Sequence, residues 1–180
     1  MDSVTIQLPA ELFALAESSH FDGEVAVDLL EIGPDDYRFD TPIAWEADVT
    51  NTGSAFLVEG RAQASATCAC ARCLEDVSCD FDSAIEGYFL ISADMQDDEE
   101  YEDLEEGEFD ILPDDHTIDL MPLIVAAIMM DAPDQPLCTP DCKGLCQQCG
   151  ANLNEGPCGC EELPDPTHPF AALADFKFDD

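Results

Sequence analysis

Ten cysteines fall into two groups, and their spacing is that of metal ligands. The first group is Cys68, Cys70, Cys73 and Cys79, and the second is Cys138, Cys142, Cys146, Cys149, Cys158 and Cys160. Cys146 and Cys149 form a C-x2-C pair followed by Gly150. Two thiolates at that spacing reach one tetrahedral ion, and a small residue after the second lets backbone amides turn toward sulfur. Cys158 and Cys160 are C-x-C and close the same ion. The loop between the pairs carries the turn formers Asn152, Asn154, Gly156 and Pro157. The expectation is a closed zinc site on Cys146, Cys149, Cys158 and Cys160.

A second quartet can be assembled. Cys70 and Cys73 are another C-x2-C, in the string CARCLE, and Cys138 and Cys142 are C-x3-C. If the C-terminal segment folds back on the rest of the chain, these four share a second zinc. Two other readings stay open here. Cys70 and Cys73 are then free thiols beside a strand end, or Cys68 takes a ligand's place, because a spacing of two puts Cys68 and Cys70 on one face of a strand.

Each C-x2-C also has a redox reading, as a thiol oxidoreductase or redox-sensing zinc protein. A thioredoxin-like pair opens a helix inside a βαβ unit. Cys73 is instead followed by Leu-Glu-Asp and Cys149 by Gly-Ala-Asn, and acidic neighbours raise a thiol pKa. Catalytic zinc needs an open position, usually beside His or carboxylate ligands, whereas all-cysteine sites are closed. His20, His116 and His168 stand isolated, and no G-x-S-x-G, P-loop or G-x-G-x-x-G occurs. The chain therefore reads as non-enzymatic.

Charge narrows the partners. Lys and Arg number 5 against 42 Asp and Glu, a formal net charge of −37. Such a surface repels a bare phosphate backbone. A solvated coat, a docking face for a basic partner such as a ribosomal protein, and adaptation to high salt all fit the composition. Arg72 and Lys143 lie beside metal cysteines. Their expected role is to hydrogen-bond or offset thiolate charge, with an RNA-touching island as the rival, so direct RNA contact is left open. The opening MDSVTIQLPA has no basic leader, and the most apolar stretch, 120–130, is too short to span a bilayer. A reducing cytoplasm is expected, where clustered cysteines hold metal rather than form disulfides.

The elements that must position these residues are mostly strands. Runs with period-2 traces occupy 3–8, 24–30, 43–49, 56–67 and 81–90, punctuated by Gly33-Pro34-Asp35-Asp36 and Asn51-Thr52-Gly53-Ser54. Residues 9–18 read as a short helix with Leu12, Leu15 and Ala16 on one face. Ten of the fifteen residues of 94–108 are acidic, which marks a linker. Residues 120–130 read as a buried helix capped by Thr117 or Asp119, with Pro122 in its first turn. The tail string HPFAALADFKF reads as a helix that docks back on the body. The expected class is α+β. A β-rich body spans 1–93, an acidic linker 94–117, an apolar helix 118–135, a zinc-ribbon-like module 136–160 and a tail 161–180.

The string PLCTPDCKGLCQQCGANLNEGPCGC, 136–160, resembles the C-terminal signature of the bacterial large ribosomal RNA subunit accumulation protein family, YceD-like. The string VEGRAQASATCACARCLEDV, 58–77, resembles its other signature, a strand running into C-x-RCL. IDLMPLIVAAIMMDAPDQPLC, 118–138, and DLEEGEFD, 103–110, also fit. Cys68 and Cys79 fall outside the pattern. The resemblance implies ribosome biogenesis, namely accumulation or processing of large-subunit (23S) ribosomal RNA, with no enzymatic activity. It implies a partner that is a ribosomal protein or a pre-ribosomal particle.

Overall fold

The computed structural model describes residues 3–91 and 110–160. Alternation of apolar and charged residues builds its main sheet. In β5 (Ile43–Asn51), Ile43, Trp45, Ala47 and Val49 are buried while Ala44, Glu46 and Asp48 are exposed. β2 (Ser18–Val25) pairs with β5 on one side, and β6 (Ala55–Ala69) pairs with it on the other. β6 is long enough to take a second partner on that same side. Past the end of β5 it meets β4 (Asp35–Phe39), which forms a hairpin with β3 (Leu29–Ile32) across Gly33. On its far side β6 pairs with β7 (Asp76–Leu90) in one unbroken register, from Ala55↔Leu90 to Ala69↔Asp76. The two-residue strand β8 (Asp110–Ile111) adds in parallel to the end of β7.

A separate two-stranded ribbon joins β1 (Thr5–Gln7) to β9 (Thr117–Asp119). The helix α1 (Met121–Asp131) follows directly. Asp119 Oδ1 accepts the N–H groups of both Met121 and Val4, fastening the helix start to the N-terminal strand. Thr117 lies in β9 and bonds Asp115 instead. Ile124 and Ile128 of α1 enter one apolar cluster with Ile6, Leu12, Tyr37, Phe56 and Ile85. The helix packs close to β7 because Gly87 stands there. A Cβ at that position would lie 2.6 Å from Leu123 Cδ1.

The structure departs from the sequence expectations in three places. Residues 9–18 give only one 3-10 turn, Ala10–Phe13. Ala16 then takes a left-handed φ of 63°, which ends any helix, and Leu15 is left exposed. The run 24–30 divides between β2 and β3, because each half pairs with a different neighbour. Part of the expected linker, 110–117, is ordered by β8 and β9, and the helix takes only 121–131 of 118–135. Residues 94–108 and the tail lie outside the described residues.

Exposed positions of the sheet carry the acid. Asp48, Glu59 and Glu86 stand on one rung across β5, β6 and β7. Like charges placed directly opposite oppose each other. Arg61 and Arg38 offset the field locally, at 2.6 Å from Asp82 and 2.8 Å from Asp76.

Candidate metal centre

The β6–β7 hairpin ends in a tip that the sequence writes as CARCLE. Leu74 N–H donates to Cys70 O at 2.9 Å, and Cys70 N–H donates to Glu75 O at 2.8 Å. This turns both thiols to one side of the tip. The same turn recurs at the other C-x2-C, where Gly150 N–H donates to Cys146 O at 2.8 Å. The residue after each second cysteine has a positive φ, 62° at Leu74 and 72° at Gly150. Glycine adopts that conformation freely and leucine does not. Leu74→Gly is therefore expected to stabilise the tip by about 1 kcal/mol. Urea unfolding of the metal-loaded protein checks this, and a loss of stability would mean that the Leu74 side chain contributes more than the strain removes.

Backbone hydrogen bonds bring the C-terminal segment onto the tip. Ala71 N–H donates to Pro136 O at 2.8 Å, Leu145 N–H to Arg72 O at 3.1 Å, and Arg72 Nη1 to Cys142 O at 2.9 Å. Two quartets result, Cys70 with Cys73, Cys138 and Cys142, and Cys146 with Cys149, Cys158 and Cys160. Within each, the four sulfurs lie within 4.8 Å of one another. In the first, Cys70 and Cys142 are 3.8 Å apart and Cys73 and Cys138 are 3.5 Å apart. A tetrahedral zinc with Zn–S of about 2.3 Å needs sulfur–sulfur edges of about 3.8 Å. The donor set and its dimensions fit zinc, and all eight predicted ligands fall in these two groups.

Further groups aim at the sulfurs. Cys138 N–H points to Cys70 Sγ at 3.4 Å and Asn154 Nδ2 to Cys142 Sγ at 3.3 Å. Asn154 Oδ1 also accepts Lys143 N–H, so one side chain holds a ligand and its neighbour. In the sequence Asn154 reads as a turn former and as part of the resembled C-terminal signature, with no sign of a bond to sulfur. Its reach across twelve residues to Cys142 had no local signal. Arg72 does hydrogen-bond beside the thiolates, but to a ligand's carbonyl.

The thiols resist ionising together. Burial would raise Cys70, yet the N–H groups of Arg72, Cys138 and Cys73 outweigh it and bring it down to about 6. The Glu75 N–H favours a thiolate at Cys73, but burial and the neighbouring sulfurs push it up to about 12. In the second quartet, the N–H groups of Cys149 and Gln148 bring Cys146 down to about 6. The sulfurs of Cys149 and Cys158 push Cys160 up to about 12. Backbone dipoles invite negative charge at each centre, and sulfur–sulfur repulsion limits it. A central divalent cation removes that conflict.

Cys68 is not among these ligands. Cys70 lies one residue beyond β6, so strand alternation no longer relates the two. Burial pushes the Cys68 thiol up to about 12, and its sulfur contacts Cys79 at 3.6 Å. His20 bonds Asp48 at 2.9 Å and His116 stacks on Phe13, both away from the sulfurs. His168 lies outside the described residues.

The family model described as large ribosomal RNA subunit accumulation protein YceD matches residues 58–177. The chain belongs to the YceD family. The span matched to YceD begins inside β6 and takes in the hairpin tip, α1 and all ten cysteines. Uncharacterized proteins of Mycobacterium bovis and of two Mycobacterium tuberculosis strains are 32% identical to it over 160 residues. That alignment covers 88% of this chain and 72% of each relative. No solved structure matches it significantly.

Proposed function

We propose that this YceD-family protein is a non-enzymatic ribosome-biogenesis factor, needed for accumulation or processing of 23S ribosomal RNA and shaped by two structural zinc ions. The observation that carries the reading is the family match over 58–177. Both quartets consist of thiols alone, which suits closed structural sites with no position for substrate. Sulfurs gathered in fours also favour metal over dithiol exchange.

The charges favour a protein partner over RNA. Of the four described cations, Arg38 and Arg61 are bound to carboxylates and Arg72 to a carbonyl, while an acidic rung crosses β5, β6 and β7. A basic ribosomal protein, alone or within a pre-ribosomal particle, suits that surface. Work on ribosomal RNA suits a cytoplasmic location. Among the described residues, no helix is long and apolar enough to cross a membrane.

Depletion from cells is expected to lower mature large-subunit ribosomal RNA relative to the small-subunit species. Quantitative RNA gels of both species check this, and an unchanged ratio with unchanged precursors would sink the proposal.

A further inference from the structure

Two cysteines remain outside the quartets. Cys68 and Cys79 lie on the two strands of the β6–β7 hairpin, just below the tip that carries Cys70 and Cys73. Their register partners are Cys68↔Val77 and Ala66↔Cys79, so the two sit diagonally across the ladder. Their sulfurs nevertheless meet at 3.6 Å, which is van der Waals contact. Cys68 is fully buried, packed in the main core near Tyr37, whereas Cys79 is half-buried. Cys79 is thus the more accessible residue of the two, with the Cys68 sulfur against its own.

We propose that Cys68 and Cys79 are a reversible disulfide-forming pair, separate from the metal sites and driven by a hydroperoxide oxidant. The peroxide O–O bond breaks on Cys79 sulfur, giving the sulfenic acid and an alcohol or water. The Cys68 thiol then attacks that sulfur. The S–S bond forms as the S–O bond breaks, and the hydroxyl leaves with the Cys68 proton as water. Diagonal cross-strand positions are about 7–8 Å apart, beyond the usual disulfide span, so closing the bond shifts the backbone and leaves it strained and easily reduced. Its site has a consequence. A covalent bond here ties the two strands two residues before Cys70 and six residues after Cys73, stiffening the base of the loop that presents both ligands.

The test uses the full chain purified under reducing conditions, with reductant then removed. An equimolar dose of hydrogen peroxide is followed by alkylation of remaining thiols. Cleavage before aspartates and after arginines isolates Cys79 in the peptide Asp76–Cys79. Mass spectrometry is expected to find that peptide linked to 62–72, with fragmentation placing the link on Cys68 and not on Cys70 of the same peptide. Two thiols per chain should be lost, bound metal should stay unchanged, and dithiothreitol should reverse the link. Cys79→Ser should abolish the link and leave Cys68 reduced. Over-oxidation of Cys79 without a link, or disulfides appearing first among the eight quartet cysteines, overturns the proposal. Metal content is read in the same samples, so a chain without zinc refutes the metal reading and leaves the disulfide test standing.

Discussion

Cys142→Ser is expected to cut bound zinc from two ions per chain to one and to release 136–160 from the hairpin tip. The size follows from where the apolar contacts are. The main core contains no quartet cysteine, and the junction of 136–160 with the hairpin tip, a clasp between the two, has its own small cluster of Cys70, Cys73 and Cys142 with Val77, Leu137 and Leu145 beside it. Three thiols and a few half-buried side chains do not fold such a segment. Structural zinc contributes about 10–16 kcal/mol in small zinc modules, so the ion dominates the local balance. Cys146→Ser should behave differently. It removes the distal ion, but Cys138 and Cys142 still hold the segment to the tip. In both variants the β-sheet circular dichroism should persist. Metal analysis with limited proteolysis reads each outcome. Equal protection of 136–160 in wild type and Cys142→Ser would refute the clasp.

Gly60→Ala is expected to destabilise the body by about 4 kcal/mol or more, a size reserved for severe backbone or core conflicts. Gly60 lies in β6 opposite Ala47 of β5. A Cβ there would strike the Glu46 carbonyl oxygen and stand 2.8 Å from Ala47 Cα. Both are backbone atoms of a central strand, so no side chain can swing aside. The β5–β6 ladder would have to open in the middle of the sheet. A denaturant midpoint near that of wild type would refute this, whereas zinc content should fall only as far as the sheet itself unfolds.

These two sites differ in how they can be seen in sequence. The two cysteine quartets were legible because thiol coordination imposes short covalent spacings, C-x2-C, C-x3-C and C-x-C, which survive in one dimension. The inward and outward faces of β5 and β6 were legible for a similar reason, since each strand writes its own period of two. Gly60 was not. Nothing in VEGRAQ says that the neighbouring strand's carbonyl will lie against it, because that contact belongs to a register between two segments.

Several edges of elements were hidden in the same way. Polar, largely exposed β2 becomes a strand because its backbone finds a partner in β5, and β4, with only Tyr37 and Phe39 buried, is completed by β3 and β6. The 9–18 segment had helical composition and lost to the turn at Ala16 that feeds β2.

The sequence by itself therefore determined that eight cysteines carry metal-ligand spacings, that the body is β-rich, and that 120–130 holds a helix, of which one face is buried and Met129 and Met130 are exposed. Which cysteines share a centre was decided by tertiary structure. Cys70 and Cys73 lie 65 or more residues before Cys138, and only the long hairpin and the return of α1 bring them together. Tertiary structure also took Cys68 away from Cys70 and gave it to Cys79. The reason is physical: local spacing is fixed by covalent geometry, but partnership across the fold is fixed by strand register and by where the chain turns.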